Sequence, residues 1–257
     1  MRTRPPSFDD PKFRSASRLS RSLARAVGGH PKALVQVLRR PTDWLATYRF
    51  LRGLPRLDVA LSPTEAGDHL RGRIVSPVWF NRSWGLAQAV LEIPPTDKEY
   101  LRGRRMQALR TNLRRATATG CTCRVVYDPN EIRRIEGRWR AVDTAGRRRL
   151  GLPGQITMVA ENASGNIGVV CAVRVDGQWA YIDIFKRLTR NEAFSMGRYQ
   201  LHLAVMQELR ARRVRYLTTG SSLQRRDQMQ YQQHILGFAP MNLRVVSRSE
   251  GSRRRIR

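Results

Sequence analysis

Cysteine and histidine are the residues best suited to covalent or metal chemistry, and in this sequence neither type is spaced for it. Cys121 and Cys123 are separated by one residue, so on a strand they share a face and cannot bridge without distortion. Cys171 lies in an apolar run, which is typical of a small buried side chain. The four histidines are scattered, with no CxxC or HExxH pattern. We therefore predict no metal site, no disulfide scaffold and no Ser–His or Cys–His nucleophile.

Charge is the strongest signal of the composition. The 257 residues include 48 Lys and Arg against 20 Asp and Glu, which gives a formal net charge of +28. A field of this size attracts polyanions, so an anionic partner is expected, with RNA and an acidic membrane surface both included. Of the basic residues 44 are arginines and four are lysines. A GC-rich genome would explain arginine replacing lysine, but it would not explain the shortage of acids.

The clearest elements lie in the C-terminal two thirds of the chain. Thr96 or Asp97 can cap a long basic helix that ends near Thr119, with Gly120 following it. A strand and a helix follow, and then the Asp176-Gly177 pair predicts a hairpin. The remaining predicted elements are strand 122–127, a helix from Asp128-Pro129 through Trp139, strands 167–175 and 178–185, helix 195–212, strand 214–218, helix 225–236 and strand 238–246.

The N-terminal third has weaker patterns. Residues 1–20 are predicted to form a basic flexible arm, and residues 21–53 a helical region in two pieces. Residues 54–96 are predicted to be irregular because they are rich in proline, with strands at 72–79 and 86–93. No apolar window is long enough to span a membrane, and no secretory signal is recognisable, so a cytoplasmic location is expected.

Three segments carry a resemblance to a known family. They are EYLRGRRMQALRTNLRRATATG, the long stretch from WAYIDIFKRLTRNEAFSMGRYQ to YLTTGSS, and YQQHILGF. Together with the order of elements, they resemble the GNAT acyltransferase fold and, more closely, its Fem-like branch, the aminoacyl-tRNA-dependent peptidyl transferases. The resemblance covers about residues 90–247. It implies an α/β fold in which helices flank a mixed central sheet. The patterns of the preceding residues, which carry no resemblance, add a basic helical N-terminal extension.

The extent of the resemblance and the patterns of the flanking residues together predict a domain plan, and one loop bears on the donor. Residues 21–95 would be the helical and irregular extension packing on the core, 96–248 the GNAT-like domain and 249–257 a basic tail. Users of acetyl-CoA in this fold carry a Q/R-x-x-G-x-G/A loop, whereas EAFSMGRYQ has only Gly197 followed by Arg198 and Tyr199. The departure disfavours CoA and favours aminoacyl-tRNA as co-substrate, with no other cofactor.

The resemblance also implies roles for particular residues. Asp183 and Tyr181, which share a strand face, are the candidate catalytic residues. Asp183 would hold or deprotonate the acceptor amine in the splay between strands 178–185 and 214–218, unless it is a solvent-facing acid. The expected contacts to the tRNA donor are Arg110, Arg114, Arg115, Lys186, Arg187, Arg190, Ser195, Arg198, Ser221, Arg225, Arg226 and Tyr231. Each of these residues also has a purely structural interpretation. Depending on the residue, it is a solvated charge, a helix cap, part of an ordinary turn or a side chain packed in the core.

Three functions remain open at this point. The first is transfer of an amino acid from tRNA onto the amine of a small peptide, a natural-product intermediate or a cell-wall precursor. The second is N-acyl transfer from acyl-CoA by the same fold. The third is RNA binding by a non-catalytic relative. The missing CoA loop favours the first over the second.

Overall fold

The computed structural model describes residues 10–27, 41–75, 84–142, 149–189, 191, 194–223 and 227–246. They belong to two units. The first is built from residues 1–61, 71–91 and 219–257, and the second from residues 62–70 and 92–218. None of the described helices is long and apolar enough to cross a membrane.

The helices and strands follow one another as a mixture along the chain. In order they are α1 (Pro11–Val27), α2 (Pro41–Gly53), β1 (Arg56–Ala60), α3 (Glu65–Ile74), β2 (Trp84–Glu92), α4 (Asp97–Tyr100), a 3-10 turn (Arg104–Met106), α5 (Gln107–Ala118), β3 (Thr122–Val126), α6 (Pro129–Val142), β4 (Gln155–Glu161), β5 (Ile167–Asp176), β6 (Trp179–Arg187), α7 (Gly197–Ala211), β7 (Tyr216–Ser221), α8 (Asp227–Ile235) and β8 (Ala239–Val246).

The second unit is built on strands β3 to β7. Strands β3, β4, β5 and β6 pair antiparallel in chain order, and β6 pairs with β7 in parallel from Trp179↔Tyr216 to Tyr181↔Thr218. The predicted hairpin is confirmed, because Gly177 has a φ of +56° in the turn between β5 and β6. The predicted parallel pairing of the two splay strands is also present. Strand β4 was not predicted.

Helix α6 covers one face of this sheet. Its period of 3.6 residues aligns Ile135 and Trp139, each 1 % exposed, with Val159 of β4, Val170 of β5 and Ile184 of β6 in one buried apolar cluster. The burial of these large apolar side chains stabilises the packing of α6 on the sheet. Strand β5 is buried along nearly all of its length, which agrees with its continuous apolar sequence.

The single long helix predicted from Thr96 to Thr119 is wrong. Thr96 does cap α4, accepting a hydrogen bond from Glu99 N at 3.2 Å, but that helix ends at Tyr100. Gly103 then takes a φ of +91°, which favours glycine, and α5 begins only at Gln107. The predicted end is correct, since Gly120 follows α5 with a φ of +66°.

The first unit contains β1, β8 and most of β2. Strand β8 pairs in parallel with β1 and antiparallel with β2, so this group of strands is mixed as well. Helices α1 and α2 pack together through Phe13 and Phe50, whose ring centroids are 5.9 Å apart. The predicted flexible arm is therefore wrong from Pro11 onward, because Phe13 and its neighbours on α1 have an apolar face to bury.

The prediction for residues 54–96 is correct only at β2. Strand β1 and helix α3 replace the predicted irregular chain, and residues 72–74 are helical where a strand was predicted. Residues 1–9, 76–83 and 247–257, including the predicted basic tail, lie outside the described residues. The predicted fold class, α/β with a mixed sheet, flanking helices and a helical N-terminal region, is confirmed.

Gly168 provides a test of packing in the second unit. A Cβ atom at this position would lie 2.0 Å from the ring of Phe194, which is 3 % exposed. We expect Gly168→Ala to lower the free energy of unfolding by about 1–3 kcal/mol, because the ring has no room to withdraw. Urea denaturation measures the change. Gly137→Ala is the control: the site is open, and alanine should stabilise α6 by up to about 1 kcal/mol. Equal effects of the two variants would contradict the packing.

His202 makes the stability of the protein depend on pH. The side chain is buried on α7 near the rings of Tyr100 and Phe185, and burial lowers the pKa of His202 from 6.5 to about 3. The imidazole of His202 is therefore protonated below about pH 6.5 in the unfolded chain, but only below about pH 3 in the folded chain. We expect the free energy of unfolding to decrease as the pH is lowered through this range, by at most about 1.4 kcal/mol per pH unit. In His202→Leu this slope should be shallower, and an unchanged slope would contradict the assignment.

Candidate functional site

Asp183 is the centre of a buried polar cluster in the second unit. It follows Tyr181, the last residue of β6 that pairs with β7, by two positions. The register of β6 against β5 shifts here, since Ala172 pairs with Ile184 and Val173 pairs with Ile182. Asp183 is therefore the extra residue of a β-bulge, a distortion that changes the direction of side chains and is often found next to active sites.

Three side chains bind the Asp183 carboxylate, which is only 5 % exposed. Nε2 of His69 lies 2.6 Å from Oδ1. Nε of Arg174 and Nε2 of Gln155 donate to Oδ2 at 3.3 and 3.2 Å. Because the carboxylate is enclosed in this way, it does not reach a substrate directly. His69 is the more exposed member of the pair, with a side chain 25 % exposed.

The start of helix α3 is held where His69 can reach β6. Asp176, at the end of β5, accepts a hydrogen bond from the backbone N–H of Ser62 at 2.7 Å. Thr64 then caps the helix, accepting from Gly67 N at 3.2 Å. A Cβ atom at Gly67 would lie 2.0 Å from the carbonyl oxygen of Ser62, so this close approach requires glycine. The hairpin between β5 and β6 thus positions both the carboxylate and the helix that carries the histidine.

Arg174 and Tyr181 complete the surroundings of the pair. Arg174 is 1 % exposed, and its Nη1 lies 4.0 Å from Oε1 of Glu65, the first residue of α3. The ring of Tyr181 meets that of His69 edge to face, with 6.5 Å between the centroids. Tyr181 is 4 % exposed, so it packs behind the histidine. Chemically, the arrangement is a histidine whose tautomer and orientation are set by a buried carboxylate, which suits it to accept a proton.

Cys171, the cysteine that feels the charge of Asp183, contributes no reactive thiolate to this cluster. Burial and the nearby negative charge of Asp183 raise the pKa of the Cys171 thiol well above its usual range. Burial and a hydrogen bond to Cys121 likewise raise the pKa of Cys123, while the same bond lowers the pKa of Cys121. Among the described residues, no group of His, Cys, Asp and Glu is arranged to hold a metal ion.

Other predicted residues lie at the end of β6 and the start of α7. Lys186 and Arg187 belong to β6 and pair with Val170 and Val169, although a loop was predicted there. Ser195 does not cap α7, because Met196 occupies the N-cap position and no side chain caps the helix. Arg198 lies in the first turn as predicted, with Nη2 donating to the hydroxyl of Tyr199 at 2.9 Å. Arg190 lies outside the described residues.

The predicted arginines of α5 divide into two kinds. Nη1 of Arg110 donates to the carbonyl oxygens of Leu101 at 2.5 Å and Gly103 at 2.9 Å, so this guanidinium stabilises the break before α5. Arg114 and Arg115 are exposed, and neither pairs with a carboxylate in the described part of the chain. Arg110 therefore has a local structural contact. The predicted contact with tRNA stays a prediction for Arg114 and Arg115, whose side chains are exposed.

The remaining predicted residues lie in the first unit. Ser221 is half-buried at the end of β7, and the neighbouring Ser222 donates its hydroxyl proton to the carbonyl oxygen of Ala87 at 2.5 Å. Tyr231, on α8, is 62 % exposed. Arg225 and Arg226 lie outside the described residues.

Sequence reasoning missed His69. It was treated as one of four scattered histidines, and the residue that orients it lies 114 positions away. A local signal was present, however. Thr64 followed by Glu65 and Asp68 is a typical helix start, and it places His69 one turn into α3.

Comparison with solved structures identifies a protein of similar fold. FemX matches with a TM-score of 0.51 and 9 % identity, over 66 % of this chain and 62 % of FemX. The chain therefore shares its fold with FemX, in agreement with the resemblance seen in the sequence.

Two further structures match less closely. One is the C-terminal domain of a candidate lysylphosphatidylglycerol synthetase from Agrobacterium fabrum, at 18 % identity and a TM-score of 0.44, over 61 % of this chain and 58 % of that one. The other is L-PGS from Bacillus licheniformis, at 16 % identity and a TM-score of 0.40, over 52 % of this chain and 44 % of that one. The chain thus spans less than two thirds of each of the three proteins. No protein-family model and no curated protein matches it.

Proposed function

We propose that this protein is an aminoacyltransferase that moves an amino acid from aminoacyl-tRNA onto the amine of a small peptide, natural-product intermediate or cell-wall precursor. The observation that carries the proposal is the His69–Asp183 pair on the bulge of β6. A base in this position is what an amine nucleophile needs. The Fem-like fold, the charge of +28 and the missing CoA loop support tRNA as the donor.

In the proposed reaction the acceptor nitrogen attacks the carbonyl carbon of the aminoacyl ester. The new C–N bond forms as the C–O bond to the ribose of tRNA breaks. His69 takes the proton from the amine and returns it to the departing ribose oxygen, so no covalent enzyme intermediate is needed. The role first expected for Asp183 becomes indirect: it orients the imidazole and stabilises the imidazolium.

The decisive experiment is an acyl-transfer assay over a panel of amine and peptide acceptors. Charged tRNA with a labelled amino acid is the donor, with and without ribonuclease pretreatment, beside acetyl-CoA and free amino acid. We expect a ribonuclease-sensitive amide product from charged tRNA. Product from acetyl-CoA alone would establish the CoA-dependent alternative. RNA binding without product from any donor would favour the non-catalytic alternative.

Helix α5 is the proposed contact for the tRNA backbone. Replacing Arg114 and Arg115 with glutamate should weaken tRNA binding several-fold and reduce the slope of log K against log salt by about 0.7–0.9 per lost phosphate contact. Arg110→Glu serves as the contrast, since it should destabilise the start of α5 instead. Circular dichroism and binding at several salt concentrations distinguish the two. If the folded double variant binds tRNA like the parent, α5 is not the contact.

A further inference from the structure

Helix α1 carries a strongly basic stripe that the proposed function has not used. Its 17 residues include five basic side chains and no acidic one. Arg14, Arg18 and Arg21 follow the spacing i, i+4 and i+7, so they form one row along the helix. The opposite side is buried through Phe13 and Leu19. The row therefore points away from the core of the first unit.

Hydrogen bonds fix how α1 lies against α8 in the same unit. Nε2 of Gln230 donates to Oγ of Ser17 at 2.7 Å, and Nη1 of Arg21 lies 2.8 Å from Oδ1 of Asp227. As the residue number rises from 17 to 21 on α1, it falls from 230 to 227 on α8, so the two helices run antiparallel. The hydroxyl of Ser17 also donates to the carbonyl oxygen of Leu223 at 2.9 Å, which anchors the contact.

An exposed aromatic residue stands on the same side as the basic row. Tyr231 follows Asp227 by one helical turn, so both lie on one face of α8. Since Arg21 reaches Asp227, the row of α1 and Tyr231 lie on the same side of the helix pair. Tyr231 is 62 % exposed, and the Asp227 side chain is 84 % exposed.

We propose that Arg14, Arg18, Arg21 and Tyr231, which we call the α1–α8 surface, bind the single-stranded end of an RNA. Along the helix axis Arg14 and Arg18 are about 6 Å apart. Guanidinium groups so placed can contact successive phosphates of an extended strand, while a base stacks on Tyr231. The exposed Arg21–Asp227 pair can exchange its carboxylate for a phosphate at little cost, because surface ion pairs contribute little.

An acidic membrane surface is the competing partner for such charge. Amphipathic helices bind lipid by inserting their apolar face. The apolar face of α1 is already used, since Phe13 is fully buried and Leu19 is 7 % exposed. The surface therefore offers charge and one stacking ring, which fits RNA. The inference rests on the proposed function in that tRNA, the proposed donor, ends in a single strand of this kind.

The test is binding of a fluorescently labelled single-stranded RNA with the 3′ sequence of tRNA and 2-aminopurine as its last base. Arg14→Glu with Arg18→Glu should weaken binding at least tenfold and reduce the salt slope by about 1.4. The matched control is Arg133→Glu with Arg134→Glu, which makes the same charge change on exposed residues of α6 and should bind as the parent does. If the glutamate pair does not fold, Arg14→Gln with Arg18→Gln replaces it.

Tyr231 has its own readout. Tyr231→Ala should weaken binding about 5–150-fold and abolish quenching of the 2-aminopurine, and Tyr231→Phe should preserve both. Binding unaffected by the α1 changes, or binding to vesicles containing phosphatidylglycerol in place of RNA, would overturn the inference. The transfer assay separates the two proposals. If the α1 variants keep full amide transfer and full tRNA binding, the α1–α8 surface is refuted and the proposed enzyme is not. If the parent binds RNA through this surface but makes no amide, the proposed enzyme activity is refuted and the surface is not.

Discussion

His69→Ala should slow amide formation by about 10²–10⁴-fold, the range that a positioned general base contributes. The affinity for tRNA should stay within a few-fold of the parent, because the imidazole is assigned to the acceptor amine and not to the nucleic acid. Single-turnover transfer from charged tRNA measures the rate, and a filter or anisotropy assay measures the affinity. His234→Ala is the matched control, since that histidine is half-buried on α8 in the other unit.

Chemical rescue makes this prediction specific to proton transfer. Removal of the side chain leaves space beside Asp183, so added imidazole should restore part of the rate in His69→Ala and have no effect on the parent. A purely structural role would give a variant that melts earlier and is not rescued. Loss of tRNA affinity in proportion to the rate would also contradict the assignment.

Asp183→Ala should lower the free energy of unfolding by about 3–5 kcal/mol, because it leaves the Arg174 guanidinium buried without its carboxylate. The side chains of the two residues are 5 % and 2 % exposed, so solvent screens neither charge. Urea denaturation measures the loss. The control is Glu92→Ala, which removes an exposed partner of Arg215 and should cost less than about 1 kcal/mol.

A second variant separates charge burial from packing. Replacing Arg174 with Met and Asp183 with Leu together should recover most of the lost stability, since a buried ion pair exchanged for apolar groups of similar volume is often neutral. The double variant should nevertheless remain inactive, because His69 has lost the carboxylate that orients it. If the double variant is as unstable as Asp183→Ala, the cost does not come from the unpaired guanidinium.

The parts of the fold that were predictable depend on local signals. The Asp176-Gly177 turn and the long helix α7 are each marked by a strong pattern among residues close together in sequence. Both predictions are correct. Strand β4 was missed because its mostly apolar run, residues 156–160, is short and interrupted by Thr157, and such a run has no diagnostic period. The break at Gly103 was missed because a helical pattern continues on both sides, and only the backbone of that glycine marks it.

The candidate site was predictable in its carboxylate but not in its histidine. Asp183 stood out as an acid on a strand between apolar neighbours. Its enclosure by Arg174 and Gln155 depends on strand registers, and its contact with His69 depends on where the chain brings α3. A bulge of one residue decides the direction of Asp183, and no spacing rule reports a bulge.

The pairing of β1 with β8 has a consequence for how the chain is made. Arg56 pairs with Asn242, so this ladder cannot form until a ribosome has added all the residues between them. Strands β3 to β6, by contrast, pair with their neighbours in sequence and can zip together as they emerge. Non-local pairing is slow to find its partner, and an unpaired strand waiting for one is prone to aggregate. During synthesis β1 is therefore a segment that needs chaperone protection until β8 has been made.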